Sequence, residues 1–175
     1  TAVNAASTTA QQTSDRAVAM NGLGASVVTW SSYDQDGSEL NVYAKRYDAT
    51  GAAIGNEFKV NTISADDQYE PTVAMDALGN FIVVYTSENP DGSQGGIYAQ
   101  RFDLNGNKVG GEFKVNTTTA GDQTAPSVAM DALGNAVISW TSAGQDGSGA
   151  GIYAQRYSLQ GLSIGGEFRV NNFTT

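Results

Sequence analysis

Three polar loops carry side chains of the kind that bind calcium. Each contains Asp-Gly-Ser, and the loops span residues 34–38, 89–93 and 145–148. Calcium takes roughly six to eight oxygen ligands from carboxylates, carbonyls and hydroxyls. The candidate ligands are Asp34, Asp36, Asp91 and Asp146. None of the loops has the full spacing of known calcium loops, so an ordinary hairpin turn is the alternative. Calcium is the one cofactor that the sequence suggests.

Trp30, Tyr85 and Trp140 are candidate carbohydrate-binding residues. An exposed aromatic ring can stack on a sugar while Asp and Asn bind its hydroxyls. The three residues are spaced 55 apart, so they would supply three equivalent glycan sites. Each also ends a strongly apolar run, and packing in the core is therefore the competing interpretation.

Arg46, Arg101 and Arg156 could clamp a substrate carboxylate through their guanidinium groups. They are also 55 residues apart, each two residues after an alanine. This indicates one repeated structural role, such as an ion pair with Asp76 or Asp131 in a turn. The chain has no Cys and no His, which removes the thiolate nucleophile and the commonest general base. Since no unique pair of carboxylates stands out for a glycosidase, the sequence predicts that the chain is not an enzyme.

The elements that must position these residues repeat every 55 residues. The period also aligns Met20, Met75 and Met130, and Phe58, Phe113 and Phe168. A fixed period of this size is typical of folds built from one supersecondary unit. We predict a single repeat domain over residues 1–175, with repeats at 3–59, 60–114 and 115–171.

Each repeat is predicted to be a four-stranded antiparallel meander. In the second repeat the strands are expected at 72–75, 81–85, 97–102 and 112–116, where apolar residues are dense. Between the first two, Asp76 can accept from backbone N–H groups and Gly79 can supply the positive φ of a hairpin turn. No apolar spacing of three and four is sustained for the length of a helix. The fold class is all-β.

Four-stranded meanders of this size predict β-propeller-like blades. A closed propeller has about four to eight blades, whereas three repeats are present here. The blades would complete a ring with a second copy, belong to a longer array, or stack as an open solenoid. The alternative is a β-trefoil, which also has three four-stranded repeats but usually shorter ones.

One strand signal occurs more often than the others. Val3-Asn4 repeats the pattern of Val60-Asn61, Val115-Asn116 and Val170-Asn171, which gives four copies against three of the remaining strands. A free strand edge is a template for strand addition. The assembly strands would therefore be those of Val3 and Asn4 and of Val170 and Asn171. A processing boundary before a Val-Asn strand is the alternative.

Charge excludes some partners. With 9 Lys and Arg against 18 Asp and Glu, the formal net charge is -9. Nucleic acid needs a basic surface, and an anionic membrane surface is disfavoured for the same reason. No transmembrane stretch is visible, so membrane insertion is not expected.

The string Gly-Ile-Tyr-Ala-Gln-Arg-Phe-Asp at 96–103, followed by Gly-Gly-Glu-Phe-Lys-Val-Asn at 110–116, resembles a tandem repeat of large secreted bacterial proteins. Many of those proteins also carry hemolysin-type calcium-binding repeats and adhesin-like segments. The order of strands and turns resembles a sialidase-type propeller blade. Residues 1–20 depart from the pattern, since Gln12, Thr13 and Arg16 stand where Asp67, Gln68 and Pro71 are expected.

This resemblance implies a secreted protein, extracellular or at the cell surface. Together with the repeats it predicts a non-enzymatic structural or adhesive protein. Its partner would be the chain itself, joined through β-units and terminal strands into a ring, filament or matrix. A lectin-like module that binds glycans is the alternative.

Overall fold

The computed structural model describes residues 11–12, 17–33, 39–88 and 94–172, and every element in this part of the chain is a β-strand. The strands are β1 (Gln11–Gln12), β2 (Val18–Met20), β3 (Ser26–Ser32), β4 (Asn41–Tyr47), β5 (Ala53–Lys59), β6 (Gln68–Met75), β7 (Phe81–Glu88), β8 (Gly95–Phe102), β9 (Lys108–Lys114), β10 (Gln123–Met130), β11 (Ala136–Ala143), β12 (Ala150–Tyr157) and β13 (Ser163–Arg169). The described residues contain no helix long and apolar enough to cross a membrane.

The strands form three separate antiparallel sheets, which we call blades 1, 2 and 3. Blade 2 has the order β6-β7-β8-β9, and blade 3 has the order β10-β11-β12-β13. In blade 1 both β1 and β2 pair with β3, which is followed by β4 and β5. Described strands pair only within their own blade, so the trefoil alternative is wrong and the all-β, propeller-like prediction is confirmed.

The predicted hairpin turns form as their sequence indicates. The Oδ1 atom of Asp76 accepts the N–H groups of Leu78, Gly79 and Asn80, each at 2.9 Å. Gly79 has a φ of 98°, a conformation that costs glycine little. The side chain and the glycine thus satisfy the turn locally, and the strands on either side enter the sheet in register.

Near its start, the first repeat differs from the other two in the spacing of equivalent residues. Gln11 pairs with Ser32, as Gln68 pairs with Ser87 and Gln123 with Ser142. Gln11 therefore stands at the place of Gln68, and the assignment of Thr13 to that place is wrong. Val18 is seven positions after Gln11, whereas Val73 is five positions after Gln68, so the sequence of the first repeat has two more residues between these equivalent positions.

The blades pack face to face. One core cluster joins blade 1 to blade 2, and a second joins blade 2 to blade 3. Alternate side chains of β7 serve the two interfaces, with Val83 and Tyr85 in the first cluster and Ile82 and Val84 in the second. Because β7 is apolar on both faces and both faces are covered, it is buried almost throughout.

Candidate functional site: the end faces of the blade stack

Each blade has a trailing face, which packs on the following blade. In blade 1 this face contains Val27, Val42 and Val60, and in blade 2 it contains Ile82, Ile97 and Val115. These six side chains are between 0% and 2% exposed. The equivalent residues of blade 3 are Val137, Ile152 and Val170, which are 40%, 39% and 52% exposed. The trailing face of blade 3 thus has interface residues without a described blade against them.

Each blade also has a leading face, which packs on the preceding blade. Val73 of blade 2 and Val128 of blade 3 are buried there. Their equivalent in blade 1, Val18, is 62% exposed, and the neighbouring Met20 is exposed as well. Burial of such side chains contributes about 1.5–3 kcal/mol each. The two ends of the stack therefore both expose equivalents of interface residues, although Trp30 and Tyr43 on the leading face of blade 1 are only 3% and 6% exposed.

Aromatic pairs mark both internal interfaces. The ring of Phe58 in blade 1 lies 5.4 Å from that of Phe102 in blade 2, and Phe113 lies 5.2 Å from Tyr157 in blade 3. The Tyr157 hydroxyl donates to the carbonyl of Val115 at 3.2 Å. Burial, with a smaller contribution from a nearby carboxylate, raises the pKa of Tyr157 to about 12. Phe168, the blade 3 equivalent of Phe113, is exposed.

The repeated arginines connect each blade to the turns of the next. Arg46 Nη1 donates to the carbonyl of Leu104 at 2.8 Å. Arg101 donates to the carbonyls of Gly134 and Ser158, at 3.1 Å and 2.9 Å. Burial lowers the pKa of Arg101, and the nearby Asp76 opposes this shift. The arginines therefore fasten neighbouring blades, mainly through backbone carbonyls rather than through the turn aspartates.

Arg156 holds the same place on blade 3 but is exposed, which provides a matched control for Arg101. We expect Arg101→Ala to lower the free energy of unfolding by about 2 kcal/mol, because one buried and one partly buried carbonyl lose a charged donor. Arg156→Ala should change it by less than about 0.5 kcal/mol. Urea unfolding followed by tryptophan fluorescence measures both. Equal effects of the two variants would contradict this role for Arg101.

The aromatic glycan candidates lie in the core. Trp30, Tyr85 and Trp140 are buried, so they present no ring face on which a sugar could stack. Burial raises the pKa of Tyr85 well above its ordinary value, and the charge of Glu112 adds to this. Trp140 lies in the cluster between blades 2 and 3. Tyr85 and Trp140 pack between neighbouring blades, whereas Trp30 lies beside Tyr43 within blade 1.

The calcium candidates are only partly described. Asp34, Asp36 and Asp91 lie outside the described residues. Asp146 accepts the N–H of Ser148 at 3.1 Å and its hydroxyl at 3.2 Å, and forms an ion pair with Arg169 at 3.4 Å. These contacts lower the pKa of Asp146, and the hydrogen bond from the Ser148 N–H contributes most. No described group of three or more acidic side chains could hold a metal, and calcium stays a prediction.

The assembly strands are described at one end. Val3 and Asn4 lie outside the described residues. Val170 donates its N–H to the carbonyl of Ile152 at 2.7 Å, and the side chain of Asn171 accepts the N–H of Ile152 at 2.9 Å. These bonds hold the two residues that follow β13 against β12 of the same blade.

A hydrogen bond between an asparagine and a glutamine side chain, which we call the clasp, connects neighbouring blades and recurs at the same position of the repeat. Asn61 Nδ2 donates to Gln68 Oε1 at 2.8 Å, and Asn116 Nδ2 donates to Gln123 Oε1 at 2.9 Å. In each case the asparagine ends one blade and the glutamine begins the next. A separation of seven residues, which Asn4 and Gln11 share, was the signal in the sequence.

Comparison of the sequence with family models and with curated proteins finds no match. Among solved structures, the chain is similar in fold to the endo-arabinase from Bacteroides thetaiotaomicron VPI-5482, with a TM-score of 0.53 and 17% identity. The match covers 89% of this chain and 61% of that chain. The chain thus spans about three fifths of that enzyme's length. At this identity the likeness shows the fold.

This finding contradicts the prediction that the chain is not an enzyme, because an endo-arabinase has a similar fold. The prediction rested on the lack of Cys and His and on the repetition of every candidate residue. Repeated residues such as Arg101 and Trp140 report how blades pack. They carry no information about the chemistry of the loops that such a fold can support.

Proposed function

We propose that this chain is a self-associating β-repeat protein, in which the trailing face of blade 3 binds the leading face of blade 1 in a second copy. The observation that carries the proposal is the exposure of Val137, Ile152 and Val170, whose equivalents are buried at both internal interfaces. A second copy would continue a packing arrangement that the chain already uses twice.

The leading face of blade 1 supplies matching groups. Tyr47 occupies the place of Phe102 and Tyr157, so it would pack on Phe168 of the other copy. The position equivalent to Ser158, whose carbonyl accepts from Arg101, is Asp48 in blade 1. Arg156 would therefore approach a carboxylate as well as a carbonyl, which favours the contact electrostatically.

Such an interface is heterologous, because different surfaces of the two copies meet. Repetition of a heterologous contact produces a closed ring or an open filament, depending on the rotation between copies. We place this assembly outside the cell or at its surface, in a structural or adhesive role, as the repeat resemblance implies.

Sedimentation velocity over a range of concentrations tests the proposal. We expect the chain to form multiples of its monomer mass and Ile152→Asp to make it monomeric, because a buried carboxylate without a partner is strongly disfavoured. Ile164→Asp is the matched control. Ile164 is 43% exposed, but its equivalents Ile54 and Val109 are exposed at 39% and 51%, so this position faces solvent in every blade.

Two results would overturn the proposal. One is a monomer at every concentration. The other is an assembly that Ile152→Asp and Ile164→Asp affect to the same degree, since the contact would then not involve the trailing face of blade 3.

We propose a carbohydrate-directed function as the second candidate, favoured by the fold shared with an endo-arabinase. Glycan-array binding and the release of reducing ends from polysaccharides test it. Retention on an array without the release of reducing ends would favour the lectin alternative. No retention and no release would remove this candidate.

A further inference from the structure

A cavity of about 400 Å³ lies between blades 2 and 3, where the end of blade 2 meets the β12–β13 hairpin. Its polar lining includes Lys114, Thr117, Gln155, Ser163 and Glu167. This cavity is separate from the two end faces, so an inference about it does not rest on the proposed self-association.

The corresponding groove between blades 1 and 2 contains an ammonium group from the chain itself. Lys108 extends from the β8–β9 hairpin, and its Nζ donates to the Thr62 hydroxyl at 2.9 Å. Burial lowers the pKa of Lys108, while the charge of Glu112 opposes that shift. An exposed ammonium group thus lies against a hydroxyl and near a carboxylate at this blade boundary.

The cavity between blades 2 and 3 keeps equivalents of the threonine and the glutamate but has no equivalent of the lysine. Thr117 and Glu167 are the equivalents of Thr62 and Glu112, but Ser163 stands at the place of Lys108. The Thr117 hydroxyl donates to Glu167 at 2.9 Å and keeps its own lone pairs for an incoming donor. A serine side chain is too short to fill the space of a lysine, and the cavity opens beside it.

We propose that this cavity binds a primary ammonium group, which takes the place that Lys108 Nζ has in the preceding groove. Glu167, which already accepts hydrogen bonds from Thr117 and from the Gln145 amide, supplies the countercharge, and the Thr117 hydroxyl and Gln155 supply polar contacts. Lys114 carries a like charge and opposes a bound cation, as its equivalent Lys59 opposes the charge of Lys108 in the preceding groove.

An ammonium group of this kind occurs on lysine side chains and on amino sugars, and two probes separate these sources. Nα-acetyl-L-lysine methylamide represents the side chain, and D-glucosamine represents the sugar. Nα-acetyl-L-norleucine methylamide and N-acetyl-D-glucosamine are the neutral controls. Binding is measured by isothermal titration and by NMR chemical shifts at neutral pH and low salt, where charge contacts are screened least.

Two variants use the repeat as an internal control. Ser163→Lys returns the ammonium to this groove from within the chain, so it should weaken binding of the charged probe by at least about tenfold. Lys108→Ser opens the preceding groove, so it should change the stoichiometry from one probe to two. Circular dichroism and thermal unfolding confirm that each variant is folded.

The expected result is saturable binding of at least one charged probe, lost in Ser163→Lys. The probe that binds identifies the source of the ammonium group. The proposal is overturned if neither charged probe binds, if a neutral control binds equally well, or if Ser163→Lys leaves binding unchanged. Should Lys108→Ser fail to fold, the Ser163→Lys comparison alone decides.

Discussion

Replacing Trp140 by alanine should lower the free energy of unfolding by about 3–5 kcal/mol, the range for large aromatic side chains removed from a core. Trp140 is 1% exposed and lies in the cluster that joins blades 2 and 3. Its removal leaves a cavity at an interface between rigid sheets, which cannot close without moving a whole blade. Urea unfolding followed by circular dichroism measures the loss.

The repeat provides a graded control for this prediction. Tyr85 stands at the same place in blade 2, so Trp140→Tyr should cost much less than Trp140→Ala. Leu133→Ala removes an exposed side chain and should change stability by less than about 0.5 kcal/mol. If Trp140→Ala were as mild as Leu133→Ala, the indole would not be a packing residue, and its role as a glycan platform would need to be reconsidered.

Asn116→Ala should be the second most damaging change, with a loss of about 2–4 kcal/mol. Asn116 is buried and accepts the N–H of Ile97 at 2.8 Å. It also donates to the carbonyl of Thr118 and to Gln123, at 2.7 Å and 2.9 Å. Alanine leaves these groups buried without their partner, and the connection between blades 2 and 3 weakens at the point where the chain crosses.

Asn171→Ala is the matched control for the clasp. Asn171 makes the same bond to a backbone N–H, that of Ile152, but it is only half-buried. Water can hydrate the groups that its loss exposes, so we expect a smaller effect than for Asn116→Ala. Thermal unfolding compares them, and a larger loss for Asn171→Ala would show that burial of the clasp contributes little.

Local sequence was a reliable guide to the strands and turns. Asp76 and Gly79 form their turn with bonds inside five residues, so no distant part of the chain is needed to predict it. The strand ends were less accurate, because β6 begins at Gln68 and not at 72. Gln68 is polar, and its place in a strand depends on Asn61 in the preceding blade.

Sites were harder to predict than strands. The sequence marked Arg101 and Trp140 as candidates for binding, and both hold blades together. The cavity beside Ser163 was missed, although the replacement of Lys108 by Ser163 is visible in aligned repeats. Its meaning depends on knowing that Lys108 reaches Thr62 across a blade boundary.

The period of 55 residues, the all-β class and the hairpin turns can be read from the residues alone, because alternation along a strand and hydrogen bonds within a turn are local properties. Which faces of the blades are covered is known only from the packing of the whole chain. Ile97 and Ile152 have nearly the same neighbours in sequence, yet one is 0% exposed and the other 39%. Burial depends on whether a further blade lies against the side chain, and no local sequence contains that information.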